Sequence, residues 1–146
     1  MKKITFLGDI MIEPPVLRAA KQPCGRYNFD GVFKRVRPLL EKSDYVIGNL
    51  ETPLAGEEAG YTRNHLGFNA PDSYVDALLK AGIKMVSTAN NHTFDYGYGG
   101  LESTLKALEE TDFVHTGVGR NMDEAAAPAY LETSQGRVAL ISVTAS

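Results

Sequence analysis

Residues 83–97 read Ile-Lys-Met-Val-Ser-Thr-Ala-Asn-Asn-His-Thr-Phe-Asp-Tyr-Gly, and this stretch says most about the fold. Its first part is largely apolar and β-forming, which predicts a buried strand over 83–88. The strand runs directly into a polar loop over 90–95, which offers two carboxamides, an imidazole and a carboxylate. Open α/β sheets bind ligands at the carboxyl ends of their strands. We therefore interpret the loop as part of a functional site; the simpler alternative is an Asn-rich turn whose histidine only fills space.

Two earlier segments also consist of a strand-like apolar run followed by polar residues. The strand-like run at 3–7 leads into Gly8 and Asp9, and the run at 45–47 leads into Asn49 and Glu51. In a parallel sheet with right-handed crossovers these strand ends lie along one edge, so we expect the polar side chains to converge. One such residue would be ordinary turn chemistry, but a mixture of carboxylates, amides and an imidazole favours a site for a hard or borderline metal ion.

The order of predicted elements favours an α/β fold with a largely parallel sheet. Periodicity and turn residues predict strands over 3–8, 44–49, 83–88, 113–116, 128–133 and 138–143, and helices over 29–42, 73–82, 100–110 and 122–126. We place a loop at Pro14 and Pro15, and Ser73 with Asp76 resembles a capping box. The last strand is strongly apolar and needs cover on both faces. We therefore expect residues 1–146 to be the front part of a longer domain, with an exposed sheet that favours self-association.

Composition narrows the function classes. A chain of 146 residues allows one ordinary domain, and a net charge of −3 gives no basic field, so nucleic acid is not an expected partner. Cys24 is the only cysteine, which excludes an internal disulfide framework. No stretch reaches the ~18 apolar residues of a membrane helix, and Asp9 interrupts the apolar run that would otherwise suggest a signal peptide. As the sequence stands, we expect a cytoplasmic protein.

The motifs resemble those of the CapA-type proteins, which are linked to poly-γ-glutamate capsule synthesis and belong to the calcineurin-like metallophosphoesterase superfamily. The resemblance covers the chain from residue 4 onward and rests on Gly8-Asp9-Ile10-Met11, Asn49-Leu50-Glu51-Thr52-Pro53-Leu54, Asn90-Asn91-His92-Thr93-Phe94-Asp95-Tyr96-Gly97, Thr116-Gly117-Val118-Gly119-Arg120-Asn121 and Gly136-Arg137-Val138-Ala139-Leu140-Ile141-Ser142. It implies a layered α-β-β-α sandwich, of which residues 1–146 would be the N-terminal portion, incomplete at its C-terminus. It also implies that some relatives are associated with the cell surface.

The resemblance further implies a site with two divalent ions, of manganese, iron, magnesium or zinc, that bind and polarise a phosphate ester. Its metal ligands would be Asp9, Asn49, Glu51 and Asn91, and its catalytic residues His92, as general acid or transition-state donor, and Asp95, which would orient the imidazole. The superfamily's Asp-x-His is Asp9-Ile10-Met11 here, and its late histidines have no counterpart before Ser146. We therefore expect residues 1–146 to bind divalent metal weakly and to be inactive alone.

Three functions follow as hypotheses. The first is a metal-dependent hydrolase of the phosphoesterase type, associated with poly-γ-glutamate biosynthesis. The second is a non-enzymatic binding or scaffold component of poly-γ-glutamate synthesis or export, and the third is a peptidase-like activity on the γ-glutamyl polymer with the same metals. The partner would accordingly be a phosphate ester or the polymer. In the long loop after the second strand, Tyr61, Arg63 and His65 form a polar cluster that is either a solvated loop or a contact to a polyanionic substrate.

Overall fold

The computed structural model describes residues 2–63, 67–111 and 113–145. In chain order its elements are β1 (Ile4–Ile10), α1 (Pro14–Ala20), α2 (Arg37–Leu40), β2 (Tyr45–Leu50), α3 (Ser73–Lys80), β3 (Met85–Ser87), α4 (Gly97–Glu109), β4 (Val114–Thr116), α5 (Met122–Ala126), β5 (Ala129–Thr133) and β6 (Gly136–Leu140). Strands β1 to β4 pair in parallel in the order β1-β2-β3-β4, and β5 and β6 form a separate antiparallel hairpin. The predicted α/β class with a parallel first sheet is confirmed.

The two faces of the parallel sheet are covered by different layers. Successive side chains of a strand point to opposite faces, so Val46 and Leu50 of β2 pack into the cluster that contains the helices. Ile47, between them, packs instead with Met85 of β3 and with Leu131 of the hairpin. The described residues thus form three layers: helices, parallel sheet and hairpin.

The hairpin leaves apolar side chains exposed, as the sequence predicted for its last strand. Tyr130 is 49% exposed and Val138 is 41% exposed. The strand predicted over 138–143 is β6 and ends at Leu140, and beyond it Ile141 is 65% exposed and Val143 is 83% exposed. The described residues therefore do not form the outer helix layer of the expected four-layer sandwich. Self-association through this surface stays a prediction.

The predicted helix over 29–42 is wrong: only Arg37–Leu40 is helical, and the residues before it form successive turns. Pro38 lacks the N–H that would continue a helix, and its ring clashes with the carbonyl four residues back. Packing also fixes the segment, because the buried Phe29 ring lies 5.0 Å from the Tyr74 ring of α3. Tertiary contacts and a proline together outweigh the apolar periodicity.

Two further local predictions fail. Pro14 and Pro15 begin helix α1 instead of a loop, because a proline in the first turn loses no helical hydrogen bond and has its φ already set. The capping box is absent as well: α3 has Asp72 as its N-cap, and no side chain caps the helix. Helix α1 nevertheless matters for the core, since it buries Leu17 and Ala20.

Strand register places the polar residues in a row. A register shift between Phe6 and Asp9 pairs Asp9 with Asn49, and Asn49 in turn pairs with Ser87 of β3. Asp9 therefore lies inside β1 and not beyond its end. A Cβ atom at position 48 would lie 2.3 Å from Ile10 Cδ1, so any larger residue there would force the buried Ile10 side chain to move.

Candidate active site

Asn49 is the centre of an acidic cluster, which we define as Asp9, Asn49 and Glu51. Its Nδ2 donates to Asp9 Oδ1 at 2.9 Å and to Glu51 Oε2 at 3.1 Å. Its Oδ1 accepts from Ser87 Oγ and from Asn90 Nδ2, both at 3.2 Å. The amide is thus fully used: it holds two carboxylates on one side and is itself fixed by β3 and the following loop on the other.

The two carboxylates of the acidic cluster carry negative charge that the cluster does not neutralise. Burial raises the pKa of Glu51, and the hydrogen bond and charge of Asp9 raise it further. The charge of His92 and the Asn49 amide oppose this shift but do not cancel it. A nearby like charge disfavours the ionised carboxylate, so a bound cation would relieve the repulsion.

A histidine–aspartate dyad, His92 and Asp95, lies beside the acidic cluster. His92 Nδ1 is 2.9 Å from Asp95 Oδ2, and both side chains are largely buried. The same carboxylate oxygen accepts from the backbone N–H of Phe68 at 3.0 Å, while the Phe68 ring meets the imidazole edge-on at 4.7 Å. An aspartate that accepts from Nδ1–H fixes the ring tautomer and leaves Nε2 for a substrate.

The loop that carries the dyad is held by Asn90 and Thr93. Asn90 Nδ2 donates to the Leu50 carbonyl at 2.9 Å, and Asn90 Oδ1 accepts from the His92 backbone N–H at 3.1 Å. Thr93 Oγ1 donates to the Thr88 carbonyl at 2.6 Å. These hydrogen bonds fix the loop to the carboxyl ends of β2 and β3, and they therefore hold His92 in a defined position relative to the sheet.

The structure brings five of the six predicted site residues together: Asp9, Asn49, Glu51, His92 and Asp95. Asn91 is exposed and lines a cavity of about 420 Å³ with Phe94 and Tyr98. The neighbouring Asn90 contacts Asn49 in its place. The role of Asn91 as a metal ligand stays a prediction, as do the ligand and catalytic roles of the other five.

Ser87 and Phe68 belong to the site but were not singled out in the sequence. Ser87 could have been found, because strand pairing puts it level with Asn49. Phe68 contributes its backbone N–H, for which a sequence carries no signal. His65, named in the polar cluster of the long loop, lies outside the described residues.

The acidic cluster offers two carboxylates to a cation. Magnesium, manganese and calcium prefer oxygen ligands, but Asn49 turns its Nδ2 towards both carboxylates while its Oδ1 accepts from Ser87 and Asn90. Within residues 2–63, 67–111 and 113–145, no group of three or more His, Cys, Asp or Glu is arranged to hold a metal ion. Metal binding, by one ion or by two, therefore stays a prediction.

A parallel sheet with a hairpin on one face and a polar site at its carboxyl edge is consistent with a metallophosphoesterase-like α/β fold. Residues 3–146 match the family described as "Bacterial capsule synthesis protein PGA_cap". The chain belongs to this family.

Curated relatives agree with the family. The chain is 35% identical over 144 residues to the "Capsule biosynthesis protein CapA" of Bacillus anthracis, covering 97% of this chain and 34% of that protein. It is 30% identical over 129 residues to the "PGA biosynthesis protein CapA" of Bacillus subtilis, covering 83% and 31%. A "Probable polyglutamine synthesis accessory protein" of Mycobacterium tuberculosis is 26% identical over 104 residues, covering 71% and 27%. The chain thus spans about a third of the length of these relatives.

In the described part of the chain, each helix is too short or too polar to cross a membrane.

Proposed function

We propose that this protein acts in poly-γ-glutamate capsule biosynthesis and that its site is a metal-dependent hydrolase of the phosphoesterase type. The family and the names of the relatives support the first part. The observation that carries the second is the position of the dyad beside an acidic cluster whose charge is not neutralised. Such a pairing combines a cation site with a proton donor.

Each residue then has a distinct task. Asp9 and Glu51 bind the cation through their carboxylates, and Asn49 holds both in place. When bound, a divalent ion would polarise a phosphate oxygen and offset developing charge. His92, oriented by Asp95, donates a proton or a hydrogen bond to the leaving oxygen, a contribution of roughly 10²–10⁴-fold. Phe68 packs against the imidazole and limits its movement.

One observation favours the alternative, a non-enzymatic component that binds the polymer or partner proteins. The resemblance places Asn49 where the superfamily usually has a bridging aspartate, and here the Asn49 amide points its Nδ2 at both carboxylates. A neutral group at this position lowers the negative charge available to a metal ion. The site would then bind without turnover.

Metal uptake and hydrolysis of an aryl phosphate separate the two functions. We would titrate the full-length protein with Mn²⁺ by calorimetry and assay its hydrolysis of the aryl phosphate with Mn²⁺ in excess, because residues 1–146 alone are expected to bind metal weakly and to be inactive. Asp9→Asn should weaken both binding and turnover. Asp44→Asn is the matched control, since Asp44 is a surface carboxylate paired with Lys2. Absence of metal uptake and turnover, together with binding of polyglutamate, would establish the alternative.

A further inference from the structure

A second recess lies on the helix side of the sheet. It has a volume of about 410 Å³, and we define this basic groove by Arg18, Lys21, Tyr27, Tyr61 and Arg63, which line it with Pro14, Leu17 and Thr62. We propose that the basic groove binds a segment of an acidic polymer through the polymer's carboxylates. The identity of the polymer rests on the proposed function, but the binding itself does not require hydrolysis.

The cations of the basic groove are available to a ligand. Arg18, Lys21 and Arg63 are exposed, and among the described residues no ion pair joins them to a carboxylate. Some other cations of the chain are paired, for example Arg37 with Glu41 and Arg120 with Glu109. The chain has a net charge of −3, whereas the charged side chains that line this recess are all positive.

The floor of the basic groove is aromatic and rigid. The rings of Tyr27 and Tyr61 meet edge to face at 5.2 Å, and Tyr27 also stacks on the buried Phe29 at 6.2 Å. Burial, followed by the charges of Glu57 and Asp72, raises the pKa of Tyr61. The Tyr61 hydroxyl therefore stays protonated and can donate a hydrogen bond to a carboxylate.

The backbone holds the cations in place on both sides of the groove. Lys21 and Tyr27 form an antiparallel bridge, which fixes the end of α1 next to the aromatic floor. On the other side, the Thr62 backbone N–H donates to the Asn69 carbonyl at 3.1 Å, and the Asn69 N–H donates to Thr62 Oγ1 at 2.8 Å. Tyr61 and Arg63 thus flank a residue, Thr62, whose backbone and side chain are both hydrogen-bonded to Asn69.

Two hydrogen bonds connect residues near the basic groove with the segment that carries the dyad. The Tyr96 hydroxyl donates to the Gly60 carbonyl at 3.4 Å, one residue before Tyr61. Phe68, next to Asn69, donates its backbone N–H to Asp95 of the dyad. Residues beside the basic groove are thus hydrogen-bonded to Asp95 and Tyr96 of the segment that carries the dyad.

Several separated cations suit a polymer better than a single small anion. An arginine guanidinium pairs with a carboxylate through two parallel hydrogen bonds, but each exposed pair contributes little on its own. A chain that carries many carboxylates engages the groove at several points at once, and the linked contacts strengthen one another. The expected ligand is therefore a polycarboxylate and not an isolated carboxylate or phosphate.

Fluorescence anisotropy with labelled poly-γ-glutamate tests the basic groove directly. The variant Arg18→Gln/Lys21→Gln/Arg63→Gln should lower the affinity by about tenfold or more, and Arg63→Gln alone by about two- to fivefold. The matched control Arg35→Gln/Lys42→Gln/Lys84→Gln removes the same charge from exposed positions elsewhere and should change the affinity little. Thermal unfolding of each variant verifies the fold. Equal loss in the groove variant and the control, or no loss in either, overturns the proposal.

Two further measurements separate this proposal from the proposed function and from general binding of polyanions. If the unmodified protein binds the labelled polymer but hydrolyses no aryl phosphate with Mn²⁺ in excess, the proposed function fails while the groove stands. A single-stranded oligonucleotide of equal charge should compete weakly. If it competes as well as poly-γ-glutamate, the groove is a general polyanion site, and the assignment to a polycarboxylate is wrong.

Discussion

The acidic cluster and the dyad lie side by side, yet they treat negative charge in opposite ways. Burial raises the pKa of Glu51, and the neighbouring Asp9 raises it further, while the charge of His92 and the neutral Asn49 amide offset this shift only in part. Asp95 instead accepts from the Phe68 backbone N–H and contacts the His92 imidazole. The acidic cluster therefore leaves charge for a ligand to neutralise, whereas the dyad uses its carboxylate internally to hold a ring in one orientation.

This contrast predicts that the two halves can be separated by substitution. Changes in the dyad should alter turnover while leaving cation binding nearly intact. Changes in the acidic cluster should alter cation binding first and turnover only as a consequence.

The largest effect is expected for His92→Ala in the full-length protein, which also carries the other variants compared with it below. If the imidazole donates to the leaving group, its removal should lower kcat by roughly 10²–10⁴-fold, with the Mn²⁺ stoichiometry unchanged because the acidic cluster is intact. Steady-state kinetics beside metal analysis measures both. Full turnover in this variant would make the imidazole a bystander.

Asp9→Ala should give the complementary result. Loss of a ligand carboxylate removes charge that no neighbour replaces, so the affinity for Mn²⁺ should fall by at least the ~10–100-fold that follows loss of a partner outside the ligand shell. Calorimetric titration gives the affinity, and Asp44→Asn again serves as the control. Unchanged affinity would show that Asp9 is not a cation ligand, and the acidic cluster would then not differ from the dyad in cation binding.

Asp95→Asn should resemble a milder form of the histidine variant. The amide no longer compensates the imidazole and can present its NH₂ group to Nδ1, so kcat should fall by about 10–100-fold at unchanged metal content. Thermal unfolding beside steady-state kinetics distinguishes orientation from simple destabilisation, because a misoriented imidazole lowers kcat without a loss of stability. An unaltered kcat with lowered thermal stability would show that Asp95 supports only the loop at Phe68.

The sequence predicted the parallel strands well because each is a short apolar run that ends in glycine or polar residues. It failed where long-range contacts decide the local structure. The segment before α2 has helical periodicity, but the packing of Phe29 on Tyr74 and the presence of Pro38 restrict the helix to Arg37–Leu40. Helix α1 shows the converse, since two prolines that suggested a loop instead begin a helix.

Most of the candidate site could be predicted because its residues sit at strand ends. The choice between Asn90 and Asn91 could not, since both precede His92 and only the path of the loop decides which one meets Asn49. The long loop after β2 was equally beyond reach. It is organised by Asn69, whose buried side chain bonds the backbone of Ala55, Gly56 and Gly60, and no periodicity reveals such a residue.

The smallest predicted effect concerns Glu51→Gln, and it tests whether the acidic cluster is strained without a cation. The folded state holds the Glu51 pKa above its ordinary value of 4.5. At pH values between the ordinary pKa of Glu51 and its raised pKa in the folded state, the folded protein binds more protons than the unfolded chain. The free energy of unfolding therefore falls as the pH rises through this window. At neutral pH the unmodified protein carries the full penalty, which a neutral glutamine lacks.

Urea unfolding in the presence of a chelator, at pH values from below 4.5 to neutrality, measures that difference. Glu51→Gln should lack the decline and be the more stable protein at neutral pH, while Glu58→Gln, at an exposed position, should follow the unmodified protein. Adding Mn²⁺ should make the unmodified protein the more stable one. In that protein the cation offsets the repulsion between Glu51 and Asp9, whereas in Glu51→Gln it has one carboxylate ligand fewer. If the unmodified protein is the more stable one even in chelator, the charge of Glu51 is already satisfied within the fold, and the acidic cluster does not differ from the dyad in the way described.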